Sequence, residues 1–328
     1  MSFILSTDSC CDIAKDELRA RGIRYINFSF SYESKGETGV FEDNFATDEE
    51  TLNFYKLLRT GVFPKTTQIG IEGHYEYFKS ILEDKTDIFH LCLSSGVSGT
   101  YNSATAAANR IREEFGVNIY LLDTKTGTIG QRQLLDDAEA LRAQGKSAAE
   151  TLEILNEERE HVQQWLMIDD LMHLKKGGRL SVTVALLGTI IGIKPVVYIT
   201  ETGGIKIREK TRGQKKAIAR IVDKMREFHA DFSRPILLGH TDADALCEDL
   251  RAEVLKICPE ADIRKHIIGP MIGSHLGPGA IALQFFGDNK EKIETEKPHF
   301  PISLPFLGKK NGNDAKEPQN QDEPKKDD

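Results

Sequence analysis

Apolar and polar positions fall in blocks along the chain, and the blocks predict an alternation of strands and helices. Phe3-Ile4-Leu5 is a short apolar run that ends in Thr7-Asp8-Ser9, as a buried parallel strand does when it hands over to a loop, and a helix is expected over residues 13–21. Thr47-Asp48-Glu49-Glu50 has the Thr-x-x-Glu form of a capping box. Leu52, Phe54, Tyr55 and Leu58 follow at helical spacing up to Gly61, and Pro64 keeps that helix from resuming. Residues 88–93 read as a second strand, Ser94-Ser95-Gly96 as its exit loop, 101–114 as a helix and 117–122 as a third strand. Such β-α-β-α order predicts a doubly wound parallel sheet.

A long helix is expected over residues 147–164, after which the texture changes. Residues 165–174, then Pro195-Val196-Val197-Tyr198-Ile199 and Gly204-Ile205-Lys206-Ile207 around a Gly-Gly turn, suggest a hairpin-bearing α+β unit. The fold class is therefore α/β with two domains. Residues 1–160 form an N-terminal Rossmann-like domain, a parallel sheet with helices on both faces, and 161–290 a smaller C-terminal α/β domain. Residues 291–328 form an extension. From about Gly308 it contains no aromatic residue and too little apolar surface to offset chain entropy, so a disordered tail is expected.

At 328 residues the chain is long enough for two domains and a cleft between them. Its formal net charge of -8 argues against a nucleic-acid partner, because neutralising phosphates needs a basic face. The chain opens without a basic segment or a long apolar run, so neither an export signal nor stable membrane insertion is expected, and a cytoplasmic protein fits. Cys10, Cys11, Cys92, Cys247 and Cys258 lack zinc-site spacing and read as reduced thiols. GxxxxGK[ST], GxGxxG and HExxH are missing, so the chain carries no familiar equipment of its own for ATP, dinucleotide or zinc-protease chemistry, and no cofactor is expected; a GxSxG nucleophile elbow is missing too, which leaves a Ser/His hydrolase only as the runner-up.

Four polar or Gly-rich segments end apolar runs, where open α/β sheets place ligands: 7–9, 65–68, 94–100 and 269–280. Hydroxyls and unpaired backbone N–H groups at a strand end can receive a carboxylate or phosphate, which makes Ser95 and Thr100 candidates. Ser94 and Ser95 could equally cap the helix that follows. In 269–280 glycines and prolines surround one histidine, and His275 is the strongest single candidate, able to donate to a carboxylate through a ring N–H. Lys175, Lys176 and Arg179 flank a Gly-Gly turn, either as a solvated turn with a helix start at Ser181 or as an anion or partner contact.

These segments, in this order, resemble the DegV family of bacterial fatty-acid-binding proteins. The resemblance covers residues 3–287: Asp-Ser before Cys-Asp at the start, Phe54-Tyr55 ahead of Pro64-Lys65-Thr66-Thr67-Gln68, Ser-Ser-Gly-Val-Ser-Gly-Thr-Tyr, Lys-Gly-Gly-Arg-Leu-Ser (176–181), Lys194-Pro195, and Gly-Ser-His-Leu-Gly-Pro-Gly-Ala (273–280). One departure is Thr67-Gln68-Ile69, where the family commonly has Ser-Gln-Pro. The resemblance implies a long-chain, palmitate-like fatty acid held by Thr66, Ser95 and His275, with Ser94 beside them. It also implies a separate ATP-binding kinase subunit that phosphorylates the carboxylate for lipid metabolism. The chain itself would then be a non-catalytic, lipid-presenting subunit, with Arg179 contacting the kinase or the acyl phosphate. Ile190-Ile191-Gly192-Ile193 and Ile267-Ile268 could line the acyl tunnel but read better as ordinary core. The rival readings are a Ser/His acyl hydrolase and a sensor for a phosphosugar or other small anion.

Overall fold

The computed structural model describes residues 3–34, 37–180 and 192–295. The predicted helix start at Ser181, the tunnel candidates Ile190 and Ile191, and the polar tail lie outside these residues.

The chain begins with strand β1 (Ile4–Asp8), helix α1 (Lys15–Ala20) and β2 (Arg24–Ile26), then a hairpin of β3 (Ser29–Ser34) and β4 (Glu37–Glu42). Helix α2 (Asp48–Arg59), β5 (Lys65–Thr67), α3 (Ile71–Ser80), β6 (Ile88–Cys92), α4 (Thr100–Phe115), β7 (Ile119–Asp123), α5 (Ile129–Ala143) and α6 (Ala148–Glu158) follow. β1, β2, β6 and β7 form a parallel sheet in the order β2-β1-β6-β7. Because side chains alternate across a strand, Phe89 and Leu91 meet Leu134, Leu135 and Leu155 on one face, while Cys92 meets Phe78, Ala104 and Ala107 on the other. The small alanines of α4 let that helix lie close. The parallel sheet and its two helix layers are those the alternation predicted.

The second half contributes β8 (Val162–Met167), α7 (Met172–Lys176), β9 (Ile193–Ile199), β10 (Ile205–Arg212), α8 (Gln214–Glu227), β11 (Ile236–His240), α9 (Asp244–Ile257), β12 (Ile263–Ile267), α10 (Pro270–Leu276), β13 (Ile281–Phe286) and α11 (Glu291–Thr295). Its strands form a six-stranded mixed sheet, β10-β9-β8-β13-β11-β12. The predicted hairpin is the antiparallel pair β9 and β10.

Two expectations are corrected. The helix expected over 147–164 stops at Glu158, and a single 3₁₀ turn leads into β8. Gln163 and Gln164 look like a helix's wet face, yet both are buried. Gln163 Nε2 donates to Asp288 O at 2.7 Å, and Gln164 Oε1 accepts from Thr126 Oγ1. Satisfied in this way, two polar side chains sit in a central strand without cost. The sequence reading also left residues 24–46 and 65–67 unassigned as strands. β3, β4 and β5 form a third, antiparallel sheet ordered β4-β3-β5, with Phe30 opposite Thr66. The Thr47 capping box is present as predicted, with Glu50 N donating to Thr47 Oγ1 at 3.2 Å.

α10 is a helix of seven residues packed at a junction. Pro270 starts it and Gly277, at φ 71°, ends it. Three glycines four residues apart put its backbone against three different parts of the chain. An added Cβ on Gly269 would lie 3.1 Å from Asp12 Cγ, on Gly273 2.8 Å from Tyr55 Cζ, and on Gly277 2.8 Å from His173 Cγ. Tyr55 also donates its hydroxyl to Ile268 O at 2.5 Å, just ahead of the helix.

Gly273→Ala is therefore expected to reverse the usual sign. In an ordinary helix the change adds about 1 kcal/mol of stability; here the overlap with the Tyr55 hydroxyl, the nearest atom, and the ring edge that carries it should cost about 1–3 kcal/mol. Urea denaturation of Gly273→Ala alone and combined with Tyr55→Phe checks this. A cost that is undiminished in the Tyr55→Phe background would place the strain elsewhere.

Candidate ligand-binding site

α10 carries His275, and β5 carries Thr66, 209 positions earlier. His275 Nε2 and Thr66 Oγ1 lie 2.8 Å apart. The pair stands at the edge of a narrow, mainly apolar cleft of about 50 Å³, with Leu93, Val97, Ile205, Met271, Ile272 and Leu276 in its walls. Burial lowers the His275 pKa from 6.5 to about 4, helped by Arg179 and His173 nearby, so the ring is neutral at neutral pH. Its Nδ1 is buried without a hydrogen-bond partner among the described residues. That side of the ring faces Gly177, where an added Cβ would come 2.8 Å from His275 Cε1, so the Gly-Gly turn leaves room for the imidazole.

Arg179 lines the same cleft. Its Nε donates to Val97 O at 3.1 Å and its Nη1 to Gly177 O at 2.6 Å, which fixes the guanidinium plane between the 94–99 loop and the end of α7. Lys175 and Lys176 of the same turn are exposed, and Lys176 Nζ lies 3.3 Å from the centre of the Phe63 ring. The three cations thus part ways, one inward and two outward.

The two serines chosen from sequence are placed differently. Ser94 is buried, donates to Gly203 O at 2.9 Å and accepts from Gly96 N at 3.1 Å. Ser95 is exposed, and its hydroxyl donates to Asp123 Oδ2 at 2.5 Å. Neither caps α4, whose N-cap is Gly99, and neither is among the residues lining the cleft with Thr66 and His275. Thr100, the other hydroxyl singled out in this loop, is buried, and its Oγ1 has no partner among the described residues. The sequence reading passed over Ser98 and Gln68, which do line the cleft. Both belong to segments already marked, but which serine of Ser-Ser-Gly-Val-Ser faces inward is set by the turn in which Val97 N and Ser98 N both donate to Ser94 O.

Asp8, from the first polar segment, braces this loop. Its Oδ2 accepts from Leu93 N at 2.6 Å and its Oδ1 from Cys10 N and Gln131 Nε2, while full burial pushes its pKa up to about 6. Among the described residues, no cluster of three or more His, Cys, Asp or Glu side chains could hold a metal ion, and no helix is long and apolar enough to cross a membrane.

A sequence model of uncharacterised DegV family proteins matches residues 2–288. The chain belongs to the DegV family. Among curated DegV relatives, a DegV domain-containing protein of Clostridium perfringens is 30% identical over 291 residues, covering 88% of this chain and 99% of its own length. Two solved DegV structures, each 26% identical and covering 88% of this chain and 100% of their own, share the fold: one from Thermus thermophilus described as fatty acid binding, with a TM-score of 0.76, and DegV of Bacillus subtilis, a fatty acid binding protein, with a TM-score of 0.72. The α/β architecture of this DegV chain is that of its family.

The His275 ring should titrate near pH 4 in the ligand-free protein. The unfolded chain takes up its proton near 6.5 and the folded ring only near 4, so this group removes stability as the pH falls from 6.5 towards 4. Histidine NMR across pH 3.5–8 is the check, and a midpoint near 6.5 would contradict the buried, neutral ring.

Proposed function

We propose that this protein binds a long-chain fatty acid, with the carboxylate at Thr66 and His275 and the tail along the apolar cleft. The observation that carries the reading is the 2.8 Å Thr66 to His275 contact at the edge of apolar walls. With its proton on Nε2, His275 donates to Thr66 Oγ1 and frees the threonine hydroxyl to donate to a carboxylate; Arg179 supplies the positive charge. The fatty acid binding described for the 26% identical relatives supports the same assignment. Ser94 and Ser95 act on the ligand through the loop they shape.

Burying a sixteen-carbon tail contributes on the order of 12 kcal/mol before entropy costs, against about 1.5–3 kcal/mol for each hydrogen bond to the carboxylate. The tail sets affinity and the polar pair sets orientation. Binding sites for ligands of this size span roughly 300–1,000 Å³, so the walls formed by Ile205, Ile272 and Leu276 have to part on loading. The protein then presents the carboxylate to a separate ATP-dependent kinase subunit, in keeping with the phosphate-binding loop missing from its own sequence. Lys175 and Lys176, exposed beside the cleft in an acidic chain, suit a docking contact.

The geometry disfavours a Ser/His hydrolase. Ser94 and Ser95 donate to a backbone carbonyl and to Asp123, and among the described residues the serine hydroxyl that shares a hydrogen bond with a histidine ring is that of Ser6, buried beside His90 at 2.8 Å.

Mass spectrometry of the organic extract of gently purified protein should find a long-chain fatty acid in near-stoichiometric amount. Thr66→Val and His275→Ala should retain most of it, and Thr66→Val should lose orientation, read as loss of the upward shift that bound carboxylate gives the His275 pKa in wild type. No lipid in the extract, together with failure to take up added palmitate, would overturn the assignment.

A further inference from the structure

β4 is an open edge of the small antiparallel sheet. In the order β4-β3-β5 it has β3 on one side and, among the described residues, no neighbour on the other. Bonding within the hairpin fixes which groups that edge presents. Asp43 N donates to Phe28 O at 2.8 Å, and these two residues continue the register that sets Ser29 opposite Glu42, Phe30 opposite Phe41 and Tyr32 opposite Gly39. Bonded pairs alternate along an antiparallel ladder, so Phe41 and Gly39 bond β3, while Thr38, Val40 and Glu42 turn their N–H and C=O groups outward.

This edge is apolar in its middle and acidic around it. Val40 is 74% exposed and Phe41 40%, and the Phe41 ring stacks on Tyr32 at 4.6 Å between centroids and on Phe30 at 5.9 Å. Glu33, Glu37 and Glu42 are exposed beside them, and residues 29–50 hold seven acids against one base, Lys35. Unpaired backbone groups next to exposed apolar side chains are a template for a further strand.

A complementary sequence occurs in the same chain, beyond the residues 2–288 that the family model matches. Residues 297–310 lie outside the described residues; they contain three lysines, Lys297, Lys309 and Lys310, and no acid. Between these lysines Phe300, Ile302, Leu304 and Phe306 alternate with Pro301, Ser303 and Pro305, the period of a strand with one apolar face. Proline has no N–H to donate, so the apolar positions are the ones equipped to bond a neighbour. A strand built in this way pairs along one edge and ends the sheet at the other.

We propose that residues 300–307 add to the outer edge of β4 in the same molecule, as a strand parallel to it. In a parallel pair each bonding residue of the incoming strand stands opposite a residue of β4 that bonds the other way, here Gly39 or Phe41. The apolar side chains then extend the aromatic face of Phe30, Tyr32 and Phe41, whereas an antiparallel strand would set them beside Thr38, Val40 and Glu42. The parallel direction also brings Lys309 and Lys310 to the Glu42 end of β4 and Lys297 to the Glu37 end. Edge strands β2, β5, β10 and β12 each carry Arg or Lys and repel such a segment. Phe300 follows Thr295, at the end of α11, by five positions, and a tether of that length holds the segment at an effective concentration of roughly millimolar, which suffices for a strand too short to recruit a second molecule. Docking there covers the open edge and firms the sheet whose third strand, β5, holds Thr66.

The test is residue-resolved amide hydrogen exchange by NMR on the full chain and on its Ile302→Asp/Leu304→Asp variant. Val40 and Glu42 amides should exchange at least about tenfold faster in the variant, with Leu91 of the parallel sheet unchanged. Glu42→Lys should speed exchange at Val40, and adding Lys309→Glu and Lys310→Glu should restore it. Equal exchange in wild type and Ile302→Asp/Leu304→Asp, or an equal change at Leu91, would overturn the docking. Rescue of Glu42→Lys by Lys297→Glu in place of the other two changes would overturn the parallel direction. Protection that falls on about tenfold dilution would overturn docking within one molecule.

Discussion

Close approach of backbone to side chain at α10 is the constraint on which the rest of the molecule depends. A helix of seven residues cannot hold its own position, and α10 takes it from Asp12, Tyr55 and His173, each against a glycine. Only with the helix seated there does His275 come within hydrogen-bond reach of Thr66. The same seating brings Met271, Ile272 and Leu276 into the cleft wall. Site chemistry here follows from missing Cβ atoms at a distance from the reacting groups.

Electrostatics then divides the site into a neutral and a charged part. Desolvation keeps His275 uncharged, so what it offers is directional hydrogen bonding, while Arg179 is the cation among the described residues that line the cleft. Asp8 shows the complementary device: a buried carboxyl, raised to about 6, whose oxygens are committed to Leu93, Cys10 and Gln131 and so hold the loop between β6 and α4.

The central architecture was legible because its signals are local. The apolar runs of β1, β6 and β7, the Thr47 capping box and the Gly-Gly turn of the β9–β10 hairpin each depend on a few neighbouring residues. Gln163 and Gln164 misled because their partners, Asp288 and Thr126, are distant in sequence. β4 was missed because it is largely exposed and reads as polar loop. At the site, Thr66, His275 and Arg179 came from motif content, whereas the inward place of Ser98 and the outward turn of Ser95 towards Asp123 are tertiary facts that no spacing encodes.

The Thr66 to His275 contact joins residues 209 positions apart, from the β3–β4–β5 sheet and from a helix close to the end of the described chain. During synthesis, therefore, most of the parallel sheet can form while the nascent protein still has no site at all. A late segment, α10, completes the Thr66 to His275 pair, and any ligand that bridges the two residues would act as a non-covalent staple between early and late parts of the polypeptide. Loading and final docking then become one thermodynamic event, so ligand supply would register as the fraction of molecules that reach the fully assembled state.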